Sequence, residues 1–180
     1  MGALILGLML AIAVFWAVGA HNRLVRLRGE VVRQWSGVDA VWLRLLVRMQ
    51  GGIAARQSMH AVDGDDDLQS LQSACEDLLE ALSQVRLQPL DAQSQVQVLA
   101  QHQKVLAEIR RMLQTDNDAV KPDLEIALSR MRQTLPAALI PYHVAVAAYN
   151  EALSMRPASW LAGRLKMKPV MRMDLSMGVA

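Results

Sequence analysis

The chain is 180 residues long, which suits one domain plus a short additional segment. Apolar residues make up 53% of it, and its single cysteine excludes an internal disulfide. The formal net charge of only +2 argues against a dedicated nucleic-acid-binding protein, although residues 21–60 and 126–180 each carry +5 and residues 61–125 carry −8.

Residues 3–20 contain no charged side chain and predict a transmembrane helix. At 1.5 Å per residue this stretch reaches about 27 Å, close to the thickness of a bilayer's hydrocarbon core. Trp16 lies near its end, where aromatic rings prefer the membrane interface. A cleaved signal peptide is the alternative, because Val18-Gly19-Ala20 could be a cleavage site. No Lys or Arg precedes the apolar run, so we assign residues 1–20 as a retained anchor.

Basic residues closely follow this span, and only the α-amino group lies before it. The arginines nearest to it are Arg23, Arg26, Arg28 and Arg33. The positive-inside rule therefore predicts a single-pass protein of the inner membrane of a bacterial cell, with its N-terminus outside and its C-terminal domain in the cytoplasm.

The span continues into a helical pattern that meets no double glycine before Gly51-Gly52. One apolar stripe consists of Leu24, Leu27, Val31, Trp35, Val38, Trp42, Leu45 and Met49. A separate arc holds Arg23, Arg26, Arg33, Arg44 and Arg48. The spacing predicts one helix from residue 3 to about residue 50, with its tryptophans in the core. Asp39, beside the stripe, is expected to pair with an arginine of a neighbouring helix or with Tyr142 or Tyr149.

Residues 62–67 are expected to form a loop whose aspartates cap a second helix. A calcium loop built on Asp63, Asp65 and Asp67 is disfavoured, because Leu68 stands where such a loop needs glycine. The apolar stripe of the second helix is Leu68, Leu71, Cys75, Leu78, Leu82 and Val85.

A third helix is predicted from about Ala92 to Gln114, and a fourth begins near Pro122. The inward residues predicted for the third are Val96, Leu99, Leu106, Ile109 and Leu113. Those for the fourth are Leu124, Leu128, Met131, Leu135, Tyr142, Tyr149 and Leu153. Pro136 and Pro141 predict a kink or a short break in the fourth helix.

Together these elements predict an all-α fold, in which an N-terminal transmembrane helix continues into the first helix of an antiparallel bundle of about four helices, with coiled-coil-like packing. The bundle covers residues 21–156. Residues 157–180 form a basic, methionine-rich tail. This tail either extends over the bundle, a partner or the membrane surface, or is a poorly ordered terminus; the pattern leaves both open.

The sequence offers no pattern for catalysis, cofactor binding or metal binding. Its four histidines, His21, His60, His102 and His143, lack the spacing of a zinc site. Cys75 lies in an apolar stripe and is expected to be buried rather than reactive. We therefore predict no catalytic residue, no metal and no cofactor.

Two motifs carry a family resemblance. The first runs from His21-Asn22-Arg23-Leu24-Val25 through Arg28 to Trp35-Ser36-x-Val38-Asp39, and the second is Tyr142-His143-x-Ala145-Val146-x-x-Tyr149-Asn150, followed by Pro157. In order and spacing they resemble the LemA family, where a single N-terminal span leads into a Tyr-Asn-x-Leu-Val-x-x-Arg segment and a Trp-Ser-x-Ile-Asp motif, and a doubled Tyr-Asn motif follows. The chain departs from that pattern at His21, Gly29 and His143, like a divergent member.

The resemblance implies a mostly cytoplasmic helical bundle on a single-pass anchor, without known catalytic activity. Some family members look associated with membrane proteases or organelle membranes. The expected function is a non-enzymatic scaffold that self-associates or docks membrane proteins. The alternative is an accessory or sensor subunit of a membrane enzyme such as a protease. The expected partners are the lipid bilayer, further copies of the chain and a membrane protein, and no nucleic acid.

Overall fold

The computed structural model describes residues 2–59, 66–114, 121–156 and 158–175, and within them it has five helices. Their bounds are Gly2–Met59 for α1, Asp66–Leu87 for α2, Ala92–Gln114 for α3, Lys121–Ser154 for α4 and Ala158–Arg164 for α5. The predicted all-α class is confirmed.

The four long helices alternate in direction and form a bundle. Helix α1 packs mainly against α4, and α2 mainly against α3. The register of the first pair is marked by the rings of Trp35 and Tyr142, whose centroids lie 5.7 Å apart. The register of the second is marked by Lys104 and Asp77, whose charged atoms lie 2.6 Å apart. These antiparallel pairs, joined through contacts of α1 with α2 and of α3 with α4, confirm the predicted bundle.

Helix α1 joins an apolar span to a core helix without interruption. Residues 2–16 are exposed along their whole length, and the helix is long and apolar enough to cross a membrane, a property that a signal sequence shares. The predicted stripe is buried beyond the span, with Leu27 partly so. The predicted end near residue 50 is wrong, because the helix continues through Gly51 and Gly52 to Met59. Ile53 extends the buried stripe by another turn, and this packing outweighs the low helix propensity of glycine.

Helices α2 and α3 form a hairpin whose turn the sequence specifies locally. Pro89 lies two residues beyond Leu87, the last residue of α2. The carboxylate of Asp91 accepts the backbone N–H of Ser94 at 2.8 Å, which caps α3. The predicted α2 stripe is buried throughout. Of the aspartates expected to cap α2, Asp63 and Asp65 lie outside the described residues, and Asp67 lies within the helix and pairs with Arg111.

The bounds predicted for α3 are confirmed, but its predicted inner face is displaced. Val96 is exposed, so its assignment to the core is wrong. Leu99 and Leu106 flank the core and are only partly buried. The buried residues of α3 are Gln95, Val98, His102, Val105, Ile109 and Met112. Two polar side chains lie on this buried face, and a pattern based on apolar residues alone therefore misplaces its centre.

Helix α4 is unbroken from Lys121 to Ser154, and it includes both prolines. Its predicted stripe is buried at every position. Pro136 and Pro141 both lie on the exposed side of the helix. A proline frees the carbonyl four residues earlier, and the freed groups belong to Arg132 and Ala137, which are also exposed, so water can satisfy them. The helix runs through both prolines, so the short break is absent, and the alternative of a kink stays a prediction.

Beyond the bundle, the chain forms α5 and then an extended tail segment, residues 167–175. Val170 and Met173 of this segment are buried, at 4% and 0% exposure. Its path begins with a left-handed residue, Lys166, at φ 51°. The N–H of Met167 donates to the carbonyl of Ala162 at 3.0 Å, which closes the end of α5. Of the two alternatives left open for the tail, packing over the bundle describes residues 158–175, and α5 was not predicted.

An ion pair links α1 to α2 at the edge of the core. Arg86 donates through Nε to Asp39 Oδ2 at 2.9 Å and through one terminal nitrogen to Oδ1 at 3.1 Å. This two-pronged contact raises the pKa of Arg86, chiefly through its hydrogen bond to the carboxylate. The predicted arginine partner of Asp39 is therefore Arg86, and neither tyrosine takes that place.

Removal of Arg86 and removal of Asp39 are expected to lower the free energy of unfolding by different amounts. Arg86→Ala leaves a carboxylate side chain that is only 13% exposed without its partner, which typically costs about 2–3 kcal/mol. Asp39→Ala leaves a guanidinium that is 43% exposed and that water can solvate, at a cost of about 1 kcal/mol. Urea unfolding of the full chain in detergent micelles, followed by tryptophan fluorescence, measures both losses.

The matched control is Arg33→Ala, because Arg33 pairs with Glu30 on the exposed face of α1. Its unfolding midpoint should match that of the unaltered protein. Equal losses in the Arg86 and Asp39 variants would contradict the asymmetry.

Candidate functional site

The tail segment is held against α4 by side chains that bond its backbone. The amide of Asn150 donates from Nδ2 to the carbonyl of Val170 at 2.8 Å and accepts the N–H of Val170 at 2.9 Å. Nε2 of His143 lies 2.7 Å from the carbonyl oxygen of Met173. The Tyr142 hydroxyl donates to the carbonyl of Met171 at 3.4 Å. We call this arrangement the tail clamp.

The spacing of the clamp residues matches the spacing of the tail. His143 and Asn150 are seven residues apart on α4, which corresponds to about 10.5 Å along a helix axis. Val170 and Met173 are three residues apart in an extended chain, which spans about 10 Å. The seven-residue interval of the second motif therefore places two polar side chains in register with two peptide groups of the antiparallel tail.

A cluster of aromatic and polar side chains lies inside the bundle, beside the clamp. Trp35 packs against Trp42 and Tyr142, with ring centroids 5.9 Å and 5.7 Å away. Trp42 donates from Nε1 to Nδ1 of His102 at 3.4 Å. Gln95 donates from Nε2 to the Tyr142 hydroxyl at 3.1 Å and to the carbonyl of Pro89 at 2.9 Å. Tyr142 thus belongs to both the core cluster and the clamp.

Burial keeps the titratable groups of the core uncharged. It lowers the pKa of His102 to about 4, so the imidazole is neutral at pH 7 and can accept from Trp42. It raises the pKa of Tyr142 to about 12 and that of Cys75 to about 12, so the phenol and the thiol stay protonated. Cys75 is 0% exposed. These groups are suited to packing and hydrogen bonding rather than to nucleophilic attack or proton transfer with solvent.

The remaining motif and topology residues lie on the surface of α1 or in the core of the bundle. His21 and Asn22 are exposed, and Ser36 donates to the carbonyl of Val32 at 3.1 Å. Leu24 and Tyr149 are buried, whereas Trp16 is 43% exposed. The exposed arginines beyond the span are Arg23, Arg26, Arg28 and Arg33. Pro157 lies outside the described residues.

Sequence patterns missed Gln95 and His102 as core residues, and the target of Asn150 and His143. The available signal for the first two was their spacing: with Val98 and Val105 they form a stripe at steps of three and four. For Asn150 and His143 the partner is tail backbone, which has no residue-specific signature. Among the described residues, no three His, Cys, Asp or Glu side chains are grouped as metal ligands.

Comparisons with protein-family models, with curated proteins and with solved structures find no match to this chain.

Removal of the Asn150 amide is expected to release the tail segment. Asn150→Ala deletes both hydrogen bonds to Val170, each worth about 1 kcal/mol, so amide exchange of the tail should accelerate about thirtyfold. Hydrogen–deuterium exchange of the full chain, resolved by peptide over residues 167–175, measures this. Asn22→Ala, on the exposed face of α1, is the control and should leave the tail protected. Unchanged protection in Asn150→Ala would refute the clamp.

The buried imidazole is expected to make stability depend on pH. The unfolded chain binds a proton on His102 near pH 6.5, whereas the folded state resists protonation until about pH 4. The free energy of unfolding therefore decreases as the pH falls below 6.5. At pH 5 it is about 2 kcal/mol lower than at pH 7. Urea unfolding at both pH values should show this loss, and His102→Gln, which keeps an acceptor for Trp42, should reduce it. An equal loss in both proteins would assign the dependence to other groups.

Proposed function

We propose that the chain is a membrane-anchored scaffold without catalysis of its own, which self-associates, docks membrane proteins or does both. The observation that carries this proposal is the continuity of α1. One helix supplies the apolar span and, through the stripe from Leu24 to Ile53, a full side of the bundle core. A bundle joined in this way cannot swivel on a linker, so its surfaces keep a fixed azimuth and height relative to the bilayer.

The proposed topology places the N-terminus outside the cell and the bundle in the cytoplasm, at the inner membrane. Support comes from Arg23, Arg26 and Arg28, which are exposed directly beyond the span and available to the cytoplasmic leaflet. Membership of the LemA family is part of the same proposal. In its favour, motif residues have specific contacts: Trp35 with Tyr142, Asp39 with Arg86, and Asn150 with the tail.

Self-association is favoured by the charge pattern of the bundle surface. Arg44 and Arg48 are exposed on α1, and no ion pair found in the described part of the chain includes them. The acidic residues of the middle third, such as Glu76 and Glu80 of α2, lie on other faces of the same bundle. Two copies can therefore place opposite charges together in a heterologous contact.

Loss of helix continuity is expected to disrupt assembly. A seven-residue Gly-Ser insertion after Ala20 uncouples the bundle from the span, whereas a seven-residue Ala/Glu/Lys insertion adds about two helical turns and nearly preserves azimuth. Crosslinking in membranes and native mass spectrometry in mild detergent should show oligomers or a bound partner for the helical insertion and far fewer for the flexible one. Equal assembly of both would reject rigid coupling, and a strict monomer without partners in the unaltered protein would reject the scaffold.

A second candidate function is an accessory or sensor subunit of a membrane enzyme, such as a membrane protease. It is favoured by a cleft between α1, α2 and α4 at the end of the bundle far from the span. The cleft has a volume of about 260 Å³, and its walls include Met49, Leu71 and Met131 with Arg48 and Arg130 among the lining residues. Its size and mixed lining suit one or two side chains of a partner or a small regulator.

The two adjacent glycines of α1 allow a matched test of the cleft. Gly52 lines it and Gly51 does not, and an added Cβ meets no atom within 4 Å at either position. Both Gly52→Leu and Gly51→Leu should stabilise α1 by up to about 1 kcal/mol through helix propensity. Only Gly52→Leu should abolish binding of a partner that copurifies with the unaltered protein. Binding that survives in both variants would exclude the cleft as the docking site.

A further inference from the structure

We propose that the bundle makes a second contact with the membrane, through a surface at its span-proximal end that binds the headgroup region of anionic lipids. We call this surface the interfacial platform. Its members are exposed apolar and basic side chains around α5, namely Met155, Arg156, Trp160, Arg164, Leu165 and Lys166. The inference rests on the proposed membrane insertion of the span and goes beyond it, because a single-pass anchor needs no second contact.

The position of the platform follows from the register of α1 and α4. These helices run antiparallel with Trp35 beside Tyr142, so the chain beyond the end of α4 returns toward the apolar span. Helix α5 contacts α1. Ala17 and Ala20, at the end of the span, are partly buried, whereas residues 2–16 are exposed. This pattern places α5 beside the last turns of the span, at the level where a membrane-inserted α1 leaves the hydrocarbon.

The apolar part of the platform is dominated by one side chain. Trp160 is 85% exposed, the highest exposure of any large apolar residue in the described chain, the span included. Met155 and Leu165 are each 42% exposed on either side of it. An indole exposed to water gains from transfer to a bilayer interface, where its ring meets apolar chains and its N–H meets polar headgroups.

The charge of the platform is uniformly basic. Residues 155–172 contain five basic residues and no acidic one. The nearest acids in sequence are Glu151 at the end of α4 and Asp174 in the tail segment. Asp91, at the start of α3, interacts with Lys168. In the part of the chain that the structure describes, Arg156, Arg164 and Lys166 have no ion-pair partner. Exposed cations around an aromatic residue are the composition of interfacial membrane-binding surfaces.

The tail clamp explains how a seven-residue helix can keep a fixed position. The N-terminal side of α5 is tied to α4, since the N–H of Ser159 donates to the carbonyl of Met155 at 3.0 Å. Its C-terminal side continues into the tail segment, which Asn150 and His143 hold. The platform is thus secured at both ends, and with the span it gives the bundle two attachments that limit its tilt.

The test uses the full chain in vesicles, labelled with an environment-sensitive fluorophore on an introduced cysteine. Cys75 can stay, because it is fully buried and its thiol has a pKa of about 12. Trp160→Cys reports on the platform. Phe15→Cys, a residue with 80% exposure in the span, reports on insertion. Ile126→Cys, with 48% exposure in the wall of the cleft, reports on the end of the bundle far from the span.

In vesicles of phosphatidylcholine and phosphatidylglycerol at 3:1, the label at 160 should emit at shorter wavelength than the label at 126. Lipid-attached nitroxides should also quench the label at 160 at least twofold more strongly than the label at 126. Pure phosphatidylcholine, or the combined change Arg156→Gln, Arg164→Gln and Lys166→Gln, should weaken both effects. The matched control for the triple change is Lys104→Gln with Arg132→Gln, two exposed bases of α3 and α4 outside the platform, which should weaken neither.

Three results would overturn the proposal. A label at 160 that resembles the label at 126, while the label at 15 is in lipid, rejects the platform and leaves the anchor intact. A label at 160 that is shielded from water but not quenched by lipid nitroxides assigns the surface to a protein contact instead. If the label at 15 is also in water, both the platform and the anchored scaffold are wrong.

Discussion

One continuous helix, α1, joins an exposed apolar segment to a buried core stripe, and most of the structure follows from that continuity. Over its first turns α1 has only apolar side chains and no contact with the bundle, as a lipid-facing helix requires. From Leu24 onward the same helix presents a narrow stripe, led by Trp35 and Trp42, to the other helices. Because the helix is continuous, the azimuth of the stripe relative to the apolar segment determines where the other helices lie relative to that segment, and in the proposed anchored state relative to the bilayer.

Helix α4 connects the core stripe of α1 to the C-terminal part of the chain. One face of α4 packs on α1 through an apolar stripe, and the adjacent face carries His143 and Asn150 toward the tail segment. Tyr142 lies between the two faces, with its ring against Trp35 and its hydroxyl among Gln95 and the backbone of Met171. The core and the tail are therefore one hydrogen-bonded unit, and the tail acts as a structural part of the bundle.

The interior of this unit holds buried titratable side chains that stay uncharged at neutral pH. His102 accepts a hydrogen bond from Trp42 as a neutral imidazole, and Cys75 is enclosed as a protonated thiol. The polar groups of the core specify which helices meet, since a buried donor without its acceptor is costly. The described core groups therefore serve packing and helix pairing, and the proposed scaffold role rests on the surfaces of the bundle.

The sequence alone determined the apolar span, the buried stripes of α1, α2 and α4, and the bounds of α3, because local periodicity and capping specify them. It also predicted that Asp39 would pair with an arginine of a neighbouring helix or with Tyr142 or Tyr149. Only the tertiary structure decided that Arg86 is the partner of Asp39, that His102 and Gln95 belong to the core, and that residues 158–175 pack on the bundle. Those outcomes depend on groups that are distant in sequence, and the clamp bonds backbone carbonyls that every residue possesses. A side-chain pattern therefore carries no signal for a contact whose partner is a backbone carbonyl, and such a contact is visible only in the tertiary structure.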